Sequence, residues 1–310
     1  MATLALTRFS LGILTTCCLQ LFMACGASNS TAPRDAATDG EASSSTTVDG
    51  GSEDGAPAGP EAETGVDGSH PTPDSGDSTT PPGGCPSGRG PAMVAIGVSD
   101  AATTLCVDTT EVTNAQYALF LTANPTPPQQ TGTCSGVNVS YSPDTGSGCA
   151  GMYDPQARGD YPVVCVDWCD AIAYCAWTGK RLCANADGSP VGSLADAAWT
   201  LACSNNGTTG YAYGPVYEFN YCNDSAYAAD AGLIPVASDT NCHGDVPPFL
   251  SIFDLQGNAD EFQDNGCSSG ACLFMGGSFE DSRPSCAPLG RTTTVQGYQP
   301  SIGFRCCANF

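Results

Sequence analysis

The chain has 310 residues, with 9 Lys and Arg against 32 Asp and Glu, a formal net charge of −23 and 19 cysteines. So large an excess of negative charge gives no electrostatic footprint for nucleic acid or anionic lipid, and both classes of partner are set aside. A membrane could then be reached only through a lipid carried by the chain itself.

Arg8 is the only charge before Cys25, and the apolar run from Phe9 to Ala24 is broken by Thr and Gln. It is too short to span a bilayer and reads as a secretory signal over residues 1–25. Its end, Leu21-Phe22-Met23-Ala24-Cys25-Gly26, resembles a bacterial lipoprotein cleavage box, although Phe22 stands where Leu is usual. Cys25 is therefore the expected lipidation site, and an exported outer-membrane or cell-surface lipoprotein the expected form, with a secreted or periplasmic protein otherwise. Residues 26–84 contain no aromatic residue and are rich in Gly, Ser, Thr, Pro and acidic side chains. Such a segment cannot bury enough apolar surface to offset its conformational entropy, so a disordered acidic tether is expected.

Residues 85–310 have the size of one large domain. They hold sixteen of the cysteines without paired C-x-x-C metal knuckles, which points to disulfides in an exported domain. In chain order, short strands are expected at Met93–Ile96 and Leu105–Asp108. A capping box, Thr113 to Gln116, opens a helix to about Thr122. Asp167 caps a second helix through Trp177, ended by Gly179. A third is expected from Ser193 to about Cys203, and a last strand at Phe304–Cys307. After Gly207 the recurrence of Gly, Asn, Asp and Pro argues against long elements. Close spacing suggests disulfides Cys134–Cys149 and Cys267–Cys272.

A series of short motifs spans this domain: Met93-Val94-Ala95-Ile96-Gly97, Thr110-Glu111-Val112-Thr113-Asn114, Tyr161-Pro162-Val163-Val164 with Val166-Asp167-Trp168, and Gly179-Lys180-Arg181-Leu182. It continues with Asp254-Leu255-Gln256-Gly257-Asn258, Gly276-Gly277-Ser278-Phe279 and Gly303-Phe304-Arg305-Cys306. In this order they resemble the formylglycine-generating enzyme, or sulfatase-modifying factor, family. The resemblance implies one α+β domain of unusual C-type-lectin-like topology, low in regular structure and here disulfide-rich. Gly257, Gly276, Gly277 and Gly303 then read as turns needing positive φ, Trp168 and Trp177 as core, and Arg305 as a donor to buried carbonyls.

The resemblance also implies a reactive pair of cysteines four residues apart, shortly after Gly-Gly-Ser, gripping copper and the substrate thiol. Aligned without a gap, Asp281 replaces the first and Cys286 occupies the second, catalytic, position. With a short deletion, Cys286 instead matches a structural cysteine, an alignment favoured by the following Ala287 and Arg291. Cys267 and Cys272 have the same separation just before the motif, where a local disulfide is the simpler reading. A three-histidine iron site is excluded because His243 is the only His in the domain, and it reads as a loop residue. Matching to the family further suggests disulfides Cys175 with Cys306 or Cys307, and Cys203 with Cys286. It also suggests calcium on Asn223, Asp224, Gly257, Asn258 and Glu261, oxygen donors that suit a hard cation.

The expected function is a surface module that binds a protein or peptide without oxidase chemistry. The alternatives are a copper-dependent oxidase converting a target Cys to formylglycine, and a cell-envelope spacer.

Overall fold

The computed structural model describes residues 84–98, 104–125, 132–137, 140–146, 148–227 and 232–310. The expected signal segment, Cys25 and residues 26–83 of the expected tether lie outside these residues. Among the described residues no helix is long and apolar enough to cross a membrane.

Two four-stranded sheets and three short helices carry the fold. The first sheet has the order β1 (Met93–Ile96), β2 (Leu105–Asp108), β8 (Cys306–Asn309), β3 (Arg181–Leu182), with every neighbouring pair antiparallel. Both central strands run through apolar side chains, and β2 is buried along its whole length. The second sheet has the order β6 (Arg291–Thr293), β5 (Cys272–Met275), β4 (Asp260–Phe262), β7 (Ile302–Gly303), with β4 and β7 parallel.

Helix α1 (Asn114–Thr122) begins at the expected capping box, in which Thr113 accepts from the Gln116 N–H and Gln116 accepts from the Thr113 N–H. Helix α2 (Trp168–Trp177) is capped in the same reciprocal way by Asp167 and Asp170. Its inward face joins Tyr117 and Phe120 of α1, with Tyr117 stacked on Tyr174 at 5.6 Å between ring centroids. Trp168 lies in this core, whereas Trp177 is half-buried at its edge beneath the Arg89 guanidinium.

Three expectations change. The third helix splits into a 3-10 turn, Leu194–Asp196, and α3 (Ala198–Cys203), because Ala197 is extended and forms a β-bridge with Asn185. The strand expected at Phe304–Cys307 is interrupted between β7 and β8, where Arg305 turns into the interior. Gly257, Gly276 and Gly277 have positive φ, but Gly303 does not. Gly303 is needed for close approach instead, since a Cβ there would sit 2.8 Å from the Val163 carbonyl.

All sixteen cysteines of the domain are joined. Cys175–Cys306, Cys203–Cys286 and Cys267–Cys272 pair as expected. Cys134 and Cys149 do not pair with each other: Cys134 bonds Cys169 and Cys149 bonds Cys165. The two belong to different hydrophobic clusters, Cys134 with the α1 and α2 side chains and Cys149 with Val164, Leu233 and Ala259, so nearness in sequence misled. The rest are Cys85–Cys106, Cys183–Cys307 and Cys222–Cys242. β8 is thus tied through adjacent residues to α2 and to the chain after β3.

Candidate functional site

The second sheet ends at the position where the motif order places chemistry. After β5, Gly276 and Gly277 turn the chain, and the Gly277 N–H donates to Asp260 of β4 at 2.8 Å. Asp281 accepts from the N–H and hydroxyl of Ser278, at 2.9 and 3.2 Å. Arg291 of β6 joins the two carboxylates, bidentate to Asp281 at 2.9 Å on each oxygen and also bonded to Asp260. Burial works against ionisation of Asp281, but the bonds from Arg291 and Ser278 outweigh it and hold its carboxyl below the usual range. Burial raises Asp260 to about 7, against the opposing pull of Arg291.

Beyond this turn the segment 282–290 is strapped down. Gln256 donates to the Pro284 carbonyl at 2.8 Å, the Cys286 N–H donates to Gly210 at 2.9 Å, and Cys286 is bonded to Cys203. On either side lies an open depression. One, of about 300 Å³, is lined by Met275, Gly276, Asp281, Arg283, Leu289 and Arg291. The other, of about 470 Å³, is lined by residues including Leu201, Thr209, Tyr211, Cys286 and Pro288. Of the two positions expected to be reactive, Asp281 is a salt-bridge member and Cys286 a half-cystine, which corrects the catalytic assignment of Cys286. Cys267 and Cys272 are bonded to each other. Copper needs free thiolates, and no cysteine of the domain supplies one, so the residues present do not fit that ion.

Of the five residues expected to hold calcium, Asn223, Gly257 and Asn258 come together. Gly257, with φ +78°, packs so closely on the Asn223 backbone that a Cβ would collide with it. Asn223 donates from Nδ2 to Asn258 Oδ1 at 3.2 Å. Most of their side-chain oxygens are nevertheless already engaged. Both oxygens of Glu261 accept from Arg305 Nε at 2.8 Å. Asp224 accepts from the N–H groups of Ala226 and Tyr227 and from the Tyr217 hydroxyl at 2.9 Å. Asn258 Oδ1 also accepts from the Ile234 N–H. The expected five therefore do not form a cage by themselves.

Two oxygens beside them are buried and unpartnered: Asn223 Oδ1 and Glu111 Oε2. Glu111 Oε1 accepts from Asn258 Nδ2 at 3.0 Å, so both orphans flank one amide. Burial, then the charge of Asp254, raises the Glu111 carboxyl well above the usual range. Burial likewise raises Asp254 to about 7, although the Ala237 N–H and Arg305 oppose it. Glu111, Asp254 and Glu261 share Arg305, and burial raises all three carboxyls, favouring their neutral forms. Among the described residues no three His, Cys, Asp or Glu side chains form a group that could hold a metal ion.

Arg305 donates to the carbonyls of Asp108 and Phe253, at 3.1 and 2.9 Å, as well as to Glu261. His243 is a loop residue, resting on Phe253 with Nδ1 bonded to the Gly244 carbonyl. Asp254 opened one of the motifs without a role assigned to it, and nothing in the sequence signalled Asp260 or the bridging role of Arg291. Glu111 stood within a motif beside Val112, and a charge in that apolar setting was the available signal.

The sequence pattern of the family described as "Sulfatase-modifying factor enzyme 1-like domain" matches residues 98–310. A bovine (Bos taurus) protein named "Inactive C-alpha-formylglycine-generating enzyme 2" is 29% identical over 171 residues, covering 48% of this chain and 50% of that protein. The chain therefore spans about half the length of this curated relative. Among solved structures, CarF is 20% identical with a TM-score of 0.43, covering 72% of this chain and 96% of CarF. "Treponema denticola variable protein 1" is 16% identical with a TM-score of 0.45 and coverages of 70% and 94%. PvdO from Pseudomonas aeruginosa is 17% identical with a TM-score of 0.44 and coverages of 71% and 92%. With the matched segment running through both sheets and all three helices, the chain belongs to the sulfatase-modifying factor enzyme 1-like domain family.

Proposed function

We propose that the protein is an exported, non-catalytic member of this family, whose remodelled cleft and neighbouring loops bind a protein or peptide at the cell surface. One observation carries the reading: Cys286, the last cysteine near the family's reactive position, is bonded to Cys203, and Asp281 is held by Arg291. A donor set of one disulfide and one ion pair offers no thiolate to grip copper. The word "inactive" in the bovine relative's name agrees with this reading. Eight disulfides suit an oxidising compartment. Export through the signal segment and anchoring through Cys25 would place the domain on the envelope.

The test is incubation of the purified protein with copper, oxygen and a Cys-x-Pro-x-Arg peptide. No aldehyde is expected on the peptide beyond a control without protein, and aldehyde formation would instead establish the oxidase.

Calcium is proposed as a structural ion at the oxygens left unpartnered, Glu111 Oε2 and Asn223 Oδ1. Titration of the chelator-treated protein by calorimetry should show binding together with a rise in melting temperature. Absence of both would remove the ion from the account.

A further inference from the structure

We infer that the loop Tyr211–Tyr221, together with Arg283, is a docking surface for a protein segment that presents a carboxylate among apolar side chains. This rests on the non-catalytic reading above and names the partner's chemistry.

Exposed apolar side chains are concentrated here. Of the eight large hydrophobic residues exposed among the described residues, four are Val216, Phe219, Tyr221 and Leu289, at 58, 61, 36 and 75%. Scattered singly they would need no explanation, but three share one loop. Leu289 lines the 300 Å³ depression that Arg283 also lines. Arg283 in turn lies over the Tyr217 ring, 5.0 Å from its centroid, so loop and depression are continuous.

The loop is built on a fixed base. Tyr211 stacks on Tyr213 at 5.5 Å, Tyr213 meets Tyr221 edge-on at 5.1 Å, and Tyr211 meets Tyr217 at 5.9 Å. The Tyr217 hydroxyl is anchored on Asp224, and the loop runs directly into the Cys222–Cys242 disulfide. The backbone that carries Val216 and Phe219 is thus held on both sides, which lowers the ordering cost of using them as binding anchors.

Arg283 supplies the polar half. Among the described residues it has no hydrogen bond or ion pair, and its contact is the face of Tyr217. By contrast Lys180, Arg181, Arg291 and Arg305 all bond protein oxygens. A guanidinium stacked on a ring keeps its N–H edge free, and that edge matches a carboxylate bidentately. Arg283 also holds a φ of +54°, uncommon for a residue with a side chain. Of the nearby carboxylates, Asp281 is already paired with Arg291 and Glu218 stands exposed in the loop, so the partner's carboxylate must meet Arg283 directly.

The experiment selects a randomised twelve-residue peptide library against the full-length protein, then measures each selected peptide on wild type, Phe219→Ala and Arg283→Gln. Both positions are exposed, and circular dichroism establishes that the variants fold. The expected result is enrichment of Asp or Glu flanked by apolar residues. Affinity should fall at least tenfold in Phe219→Ala, and Arg283→Gln should lose the preference for an acidic peptide over its amide counterpart. Peptides that bind both variants as tightly as wild type would overturn this surface while leaving a recognition module intact, and a library with no enrichment would overturn it as well. Self-association abolished by Phe219→Ala would assign the loop to a second copy, also overturning the proposal. Failure of the non-catalytic reading is read separately, in the aldehyde assay.

Discussion

Two arginines in this domain, Arg305 and Arg283, hold the same group in opposite states. Arg305 is fully buried, donates to Glu261 and to two backbone carbonyls, and joins both sheets by sitting between β7 and β8. Arg283 is exposed on the strap after the Gly-Gly-Ser turn, with a tyrosine face beneath it and no bonded oxygen. A buried guanidinium without acceptors would be too costly to keep, so Arg305 is tied into structure, while an exposed one is free to serve an encounter. The same division separates their surroundings: the centre is closed by disulfides and hydrogen bonds, and the loop presents apolar side chains to solvent.

Perturbation should break the centre and leave the loop's fold untouched. Arg305→Met removes the one cation bonded to Glu261 among the described residues and should destabilise the protein by about 3–5 kcal/mol, read by urea unfolding. A loss below a tenth of that range would mean that the Glu111, Asp254 and Glu261 group needs no counter-charge. Replacing Cys175 and Cys306 together by Ala releases a link across 131 residues and should cost about 2–5 kcal/mol. An unchanged melting temperature would show that β8 is held by packing alone.

The centre should also respond to pH. Burial raises Asp108 to about 6 and Asp254 and Asp260 to about 7, all above their unfolded values. In this window the folded state binds more protons than the unfolded one. The stability they contribute is therefore complete below about pH 4 and is lost as pH rises through 6 to 7. In chelator, the melting temperature should be higher at pH 5 than at pH 8. A rise in the opposite direction would contradict the raised values. Least affected should be Phe219→Ala, which is expected to change stability by under about 0.5 kcal/mol while weakening peptide binding. A large loss of stability would make Phe219 part of the core.

Local signals accounted for much of the fold. Thr113 with Gln116, and Asp167 with Asp170, are separated by three residues, so their caps are decided within one helical turn. The third helix failed because Ala197 was drawn into a bridge with Asn185, a contact invisible at that range. In the site, the absence of a paired thiol after Gly-Gly-Ser was legible. The Asp260, Arg291 and Asp281 assembly was not, because its members lie on three separate segments.

By itself the sequence determined the family, through motifs whose order needs no geometry. Tertiary structure decided which sulfurs meet, which carboxylate oxygens are already bonded and that the exposed Arg283 bonds none of them. Those outcomes depend on residues brought together across the chain, such as Arg305 and Asp108 at 197 residues apart, and on competition among many donors for a few acceptors. Burial then sets the protonation of the carboxylates, and burial exists only once the chain has folded.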